Sequence, residues 1–304
     1  MNGLYYKREK CKYDFILISD EKELIIAYAQ RYHCEPIELR TGKTITAEDD
    51  FRKIYEILIK KYQKKFCCVC YSSQTDTAFS VLPETRMIQR LDLTQINILQ
   101  IIENLMYMTL VPEDGIISLH GAAVAKGDKA FLLSARTTSG KSTLAAFLWM
   151  CGYEYITDDE IFISQSTFCV EPVRKTLSLR PGGYTILQET FRKCEPLLNN
   201  AKHLRYGSIE NYLLPLQGEP QYEMYKIAGI IFLEEYGSQT PYIRKLTPCE
   251  GFPKLLKGQL TAADTDNKII LGKYKTLAHL SNNTYEMRYS DLWMAETYLK
   301  HLQT

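Results

Sequence analysis

Nine residues, Ala135-Arg136-Thr137-Thr138-Ser139-Gly140-Lys141-Ser142-Thr143, constrain this chain more than any other part of it. The apolar stretch Ala130-Phe131-Leu132-Leu133 precedes them and Leu144-Ala145-Ala146-Phe147-Leu148 follows. The first reads as a strand and the second as a helix, so the run joins a strand end to a helix start. A loop so placed turns its backbone N–H groups and the positive end of the helix dipole toward one point, where an anion is stabilised. When the loop ends Gly-Lys-Ser, the anion is a polyphosphate. The loop backbone then cradles it, Lys141 reaches the β- and γ-phosphates, and the Ser142 hydroxyl is placed for Mg²⁺. Ala135 stands where the pattern G-x-x-x-x-G-K-[ST] has its first Gly, a replacement that a backbone with negative φ accepts. Arg136, Thr137, Thr138, Ser139, Gly140, Lys141, Ser142 and Thr143 are therefore the expected nucleotide contacts.

At 304 residues the chain has room for one large core or two moderate ones. A hydrophobic share of 45% beside 24% charged residues fits a soluble globular protein. The net charge of +1 supplies no field toward nucleic acid or membrane, and neither is an expected partner. The sequence shows no repeat, no apolar stretch of membrane-spanning length, and no apolar region in Met1-Asn2-Gly3-Leu4-Tyr5-Tyr6-Lys7 of the kind a signal peptide carries. Nine cysteines, an odd number, point to reduced thiols and a cytoplasmic location. The densest group, Cys67-Cys68-Val69-Cys70, lacks a second ligand cluster at zinc spacing and reads as a buried strand.

Residues 1–112 read as a separate α+β domain, a candidate substrate-recognition region. Tyr13-Asp14-Phe15-Ile16-Leu17-Ile18 is strand-like, and Phe51, Ile54, Tyr55, Leu58, Ile59 and Tyr62 share one face of a helix beginning near Glu48. A strand follows at Phe66, then a helix expected over 93–108. Lys60-Lys61-Tyr62-Gln63-Lys64-Lys65 is a basic cluster that reads as a solvated helix end well placed against the dipole, with a docking patch for an acidic partner as the alternative. The turn Val111-Pro112-Glu113-Asp114-Gly115 marks the boundary with a second domain over 113–304. There Ile116-Ile117-Ser118-Leu119-His120-Gly121-Ala122-Ala123-Val124-Ala125 reads as one strand, and Lys126-Gly127-Asp128-Lys129 as a hairpin turn into the strand that ends at Ala135. Gly152 closes the following helix, and Tyr153-Glu154-Tyr155-Ile156-Thr157 forms a strand ending at Asp158-Asp159-Glu160. Asp158 comes only 17 residues after Lys141, room for one helix and one strand. That strand is expected beside the loop strand, which brings both carboxylates to the γ-phosphate.

This ordered set resembles the HPr kinase/phosphorylase superfamily, whose P-loop core is shared with ATP-dependent phosphoenolpyruvate carboxykinase. The features are His120-Gly121, then Ser139-Gly140-Lys141-Ser142-Thr143, then Gly152 through Asp159, and Leu177-Ser178-Leu179-Arg180-Pro181-Gly182-Gly183. Ile227-Ala228-Gly229-Ile230-Ile231-Phe232-Leu233-Glu234 resembles the family's late core strand, and Leu246-Thr247-Pro248 with a helix near Gly251 continues the likeness. The resemblance spans roughly 114–304. Ser178 stands where HPr kinases carry an acidic residue two positions before the Arg, which points to a divergent kinase on the same core, such as one that modifies ribosomally made precursor peptides. The fold implied is α/β (α+β): an HPr-kinase-like P-loop core with a mixed sheet and flanking helices, plus the smaller N-terminal α+β domain.

The resemblance also implies roles. Asp158 is the base that accepts the proton of the attacking hydroxyl, and Asp159 with Ser142 holds Mg²⁺, the order within the pair resting on the family alone. His120 orients or assists the acidic pair, Arg180 clamps the γ-phosphate or substrate from a flexible Pro-Gly-Gly loop, and Lys141 stabilises the transferring group. The expected activity is an ATP-dependent kinase, with ATP and Mg²⁺ as cofactors, acting on a Ser or Thr hydroxyl of a peptide or protein. Its alternatives are a small-molecule kinase and a nucleotide-binding regulator without transfer. HPr kinases assemble as hexamers, so a homo-oligomer is a further implied state.

Overall fold

The computed structural model describes residues 1–304 except 33, 40–44, 95–96, 136–138, 174–175, 192–195, 208, 215–217, 261–266 and 303–304. The chain has a mixed α+β fold with mixed sheets and flanking helices. It divides into two compact units, Met1–Glu113 with Arg205–Ser208, and Asp114–Leu204 with Ile209–Thr304.

The first unit holds β1 (Asn2–Tyr6), β2 (Asp14–Ser19), α1 (Lys22–Tyr32), β3 (Glu35–Ile37), α2 (Glu48–Lys61), β4 (Phe66–Ser72), β5 (Thr77–Val81), β6 (Ile88–Leu91) and α3 (Ile98–Met108). Its six-stranded sheet runs β3-β1-β2-β4-β5-β6, with β2 and β4 parallel at the centre. Both central strands are buried along their whole length, which explains the apolar and cysteine runs within them, Phe15–Ile18 and Phe66–Cys70. Cys68 and Cys70 pack with Phe51, Ile54 and Leu58 of α2, and burial pushes the Cys67 thiol up to about 12. The helix expected over 93–108 starts instead at Ile98. Asp92 ties up the preceding stretch by accepting from the backbone and hydroxyl of Thr94, and Asn97 caps the helix by accepting from Gln100 N–H at 2.9 Å.

The second unit holds β7 (Ile116–His120), β8 (Ala122–Lys126), β9 (Lys129–Ser134), α4 (Lys141–Met150), β10 (Glu154–Thr157), β11 (Glu160–Ser164), β12 (Cys169–Glu171), β13 (Leu177–Leu179), α5 (Pro181–Thr190), α6 (Pro196–Asn199), the first three residues of β14 (Lys202–Tyr206), β15 (Ile209–Leu214), β16 (Tyr225–Tyr236), β17 (Tyr242–Lys245), α7 (Pro248–Lys257), α8 (Asn267–Leu280), β18 (Thr284–Tyr289) and α9 (Leu292–His301). Its main sheet runs β10-β8-β9-β16-β12-β11-β7, with β18 joined to β16 and β17 to β18. Strands β9, β16 and β18 are parallel neighbours. Alternation along β9 sends Phe131 and Leu133 to one core, with Leu144, Phe147 and Leu148 of α4, and Ala130 and Leu132 to the other, with Leu255 of α7 and Leu277 of α8.

The stretch expected as a single strand before the hairpin is two. β7 leaves to pair with β11, while β8 forms the hairpin with β9. Gly121 is the break. A Cβ there would lie 2.5 Å from the Leu133 carbonyl oxygen and 2.8 Å from Ile161 Cδ1, so only glycine lets the chain pass. Gly121→Ala is expected to destabilise the protein by about 2 kcal/mol through this overlap. Chemical denaturation checks it, and an unchanged midpoint would contradict the contact.

Candidate functional site

The site forms where β9 gives way to α4. Gly140 caps the helix with φ +83°, a left-handed backbone that glycine adopts freely, and its carbonyl accepts from Leu144 N–H at 2.8 Å. Lys141, in the first turn, is 6% exposed, and its Nζ donates to the Ala135 carbonyl at 3.0 Å, linking the two ends of the loop. Burial depresses the Lys141 ammonium below its ordinary pKa; Asp158 and then Asp159 act against that shift, and Arg180 adds to it. Four predicted site residues thus share one electrostatic neighbourhood. Ser139, Ser142 and Thr143 are half-buried at the same helix start, whereas Arg136, Thr137 and Thr138 lie outside the described residues.

The acidic pair occupies the tight turn between β10 and β11. Asp159 has φ +66°, an uncommon backbone for a residue with a side chain, and its N–H donates to Asp158 Oδ1 at 2.9 Å. Thr157 Oγ1 donates to the Glu160 carbonyl at 2.8 Å and closes the turn from below. Asp158 is buried at 4% exposure and Asp159 is exposed, so one carboxylate is shielded and the other faces solvent. The sequence placed this strand next to β9. It pairs with β8 instead, because the short β8–β9 hairpin takes one edge of β9 and β16 takes the other.

His120 differs from expectation in the same way. It ends β7 rather than lying on the hairpin strand, and it pairs across with Glu160. Its Nδ1 lies 3.0 Å from the Asp159 carbonyl oxygen. A carbonyl only accepts, so that contact places a proton on Nδ1. His120 N–H donates to the Gly258 carbonyl at 2.7 Å, fixing the backbone beside the acidic turn.

Arg180 does not sit in a flexible loop. It is the exposed residue before α5, and Pro181-Gly182-Gly183 is the first turn of that helix, where proline's fixed φ is pre-organised. A Cβ on Gly183 would overlap the Thr143 hydroxyl, so glycine allows α5 to dock on the first turn of α4. That docking carries Arg180 into the field of Lys141. The helix expected near Gly251 starts earlier, at Pro248, under a Thr247–Glu250 capping box. Trp149 and Met150 pack, partly buried, on the α4 core.

The oxygen donors here suit a hard cation. Ser142 offers a hydroxyl in the helix's first turn, and Asp158 and Asp159 offer adjacent carboxylates. Among the described residues no cluster of three or more His, Cys, Asp or Glu side chains could hold a metal alone. One or two carboxylates completed by water and phosphate oxygens is the ligand set that Mg²⁺ takes. Sequence reasoning missed one neighbour of the pair, Tyr155. Its hydroxyl is fully buried and lacks a hydrogen-bond partner among the described residues, and burial, then Asp158 and Asp159, raises its pKa well above normal. Tyr155→Phe is expected to stabilise the protein by about 1 kcal/mol by removing an unsatisfied buried hydroxyl. A lower melting temperature would show instead that the hydroxyl is satisfied.

No family model and no curated protein matches this chain. Among solved structures, the HPr(Ser) kinase/phosphatase from Coxiella burnetii is 12% identical, over 60% of this chain and 96% of that one, with a TM-score of 0.23. The reading of the site therefore rests on its own geometry. No described helix is long and apolar enough to cross a membrane.

Proposed function

We propose that the junction of β9 and α4 binds ATP with Mg²⁺ and that the chain is a kinase acting on a Ser or Thr hydroxyl of a peptide or protein. One observation carries the reading. A buried lysine at the start of a helix, behind a left-handed glycine, has Asp158, Asp159 and Arg180 in its electrostatic field. A desolvated ammonium at a helix N-terminus favours polyphosphate, and carboxylates beside it suit a metal ion and a proton acceptor.

Asp158, the shielded carboxylate, takes the proton of the acceptor hydroxyl as that oxygen bonds to the γ-phosphorus. The bond from the γ-phosphorus to the bridging oxygen breaks, and ADP leaves with that electron pair. Lys141 and Arg180 offset the charge gathering on the phosphate oxygens. His120 holds the Asp159 carbonyl and with it the strained turn. Ser142 and Asp159 would hold Mg²⁺, whose contribution is to neutralise phosphate charge.

The test is transfer from γ-labelled ATP, with Mg²⁺, to an HPr-like protein, a panel of serine-bearing peptides and free serine. Label on a peptide or protein supports the proposal. Label only on free serine would replace it with a small-molecule kinase. Tight ATP binding without transfer to any acceptor would replace it with a regulatory nucleotide binder.

A further inference from the structure

One side chain at the phosphate loop comes from a distant part of the sequence. Parallel pairing sets Ser134, the last residue of β9, opposite Phe232, whereas Tyr289, the last residue of β18, lies opposite Tyr236. The register shift between Leu233 and Glu235 leaves three residues of β18, Met287 to Tyr289, past that level, so at about 3.3 Å per residue the strand runs roughly 10 Å beyond the end of β9. Tyr289 is 1% exposed and belongs to the same core as Leu144 and Phe147 of α4. Its ring is braced by Tyr236, with centroids 5.5 Å apart. Its hydroxyl oxygen is 3.7 Å from the point that a Cβ on Gly140 would occupy. Burial keeps the phenol protonated, so it remains a donor.

A buried donor held rigidly against the glycine that caps α4 has one evident use. We propose that Tyr289 is a positioning residue for the phosphate loop, its hydroxyl donating to the loop once a polyphosphate is bound and holding the left-handed turn at Gly140 in place. The inference rests on the reading of the loop as a nucleotide site. Gly140 is required for its φ of +83°, and the Tyr289 hydroxyl lies within ordinary van der Waals range of the point where a Cβ would stand. The hydroxyl acts through the loop rather than on the transferred group, so its loss weakens binding more than turnover.

The experiment compares wild-type protein with Tyr289→Phe by calorimetric titration with MgADP and by thermal melting without nucleotide. Phenylalanine keeps the packed ring and removes only the hydroxyl. The expected result is a nucleotide-free melting temperature no lower than that of the wild type and about tenfold weaker MgADP binding, the scale of one hydrogen bond in a charged site. Equal MgADP affinity in the two proteins would overturn the proposal, as would a fall in the nucleotide-free melting temperature without a change in affinity. Absence of MgADP binding by the wild type would instead remove the nucleotide reading itself, and this inference with it.

Discussion

Asp158→Asn is expected to lower phosphoryl transfer by about 10²–10⁴-fold, the range over which a positioned general base acts, while nucleotide affinity stays within about threefold. The substitution isolates the chemistry. Asparagine has the same shape, and its side-chain oxygen can still accept the Asp159 N–H that Asp158 Oδ1 holds at 2.9 Å, so the turn survives. What disappears is the shielded carboxylate to which the proton would pass. Asp159→Asn provides the contrast. Asparagine tolerates the left-handed backbone that Asp159 adopts at φ +66°, so this variant also keeps the turn. Its expected signature is a higher Mg²⁺ requirement rather than loss of the chemical step. Measuring transfer against Mg²⁺ concentration in both variants separates base from ligand, and reversed signatures would exchange the two roles.

Lys141→Ala is expected to weaken nucleotide binding by about a hundredfold or more. Charge-assisted hydrogen bonds contribute roughly 1.5–3 kcal/mol each, and a tenfold change in affinity corresponds to about 1.4 kcal/mol. The fold should tolerate the change. The ammonium is already penalised by burial, which offsets part of what it gives up, including the contact from Nζ to the Ala135 carbonyl at 3.0 Å and the attraction of the two aspartates. The melting temperature without nucleotide should therefore move little, and the stabilisation produced by added nucleotide should vanish. Stabilisation by nucleotide that persists in this variant would place the binding site elsewhere.

The parts of this fold that follow local rules were readable in the sequence. Of the face expected for α2, Phe51, Ile54, Tyr55 and Leu58 are buried, whereas Ile59 is exposed and Tyr62 lies at the C-cap, and Gly152 follows α4 with φ +83°. The strand–loop–helix order around Lys141 was equally legible, because one short segment contains it. Elements whose limits depend on distant residues were not. Gly121 divides β7 from β8 because of the Leu133 carbonyl and Ile161, a contact that no local window contains. The partner of β10 depended on which strands had already taken the edges of β9. Pro181-Gly182-Gly183 has the composition of a loop, yet it starts a helix because its glycines permit close packing on Thr143. Tyr155 and Tyr289 are two of 22 tyrosines without a pattern to mark them, and register alone brings Tyr289 to Gly140.

Calorimetric titration of the full chain with MgATP, beside the same titration of Lys141→Ala, tests most directly whether the junction of β9 and α4 is a nucleotide site. The structure predicts saturable one-to-one binding by the wild type and its loss in the variant. Absence of binding by the wild type, or equal binding by both proteins, would contradict it.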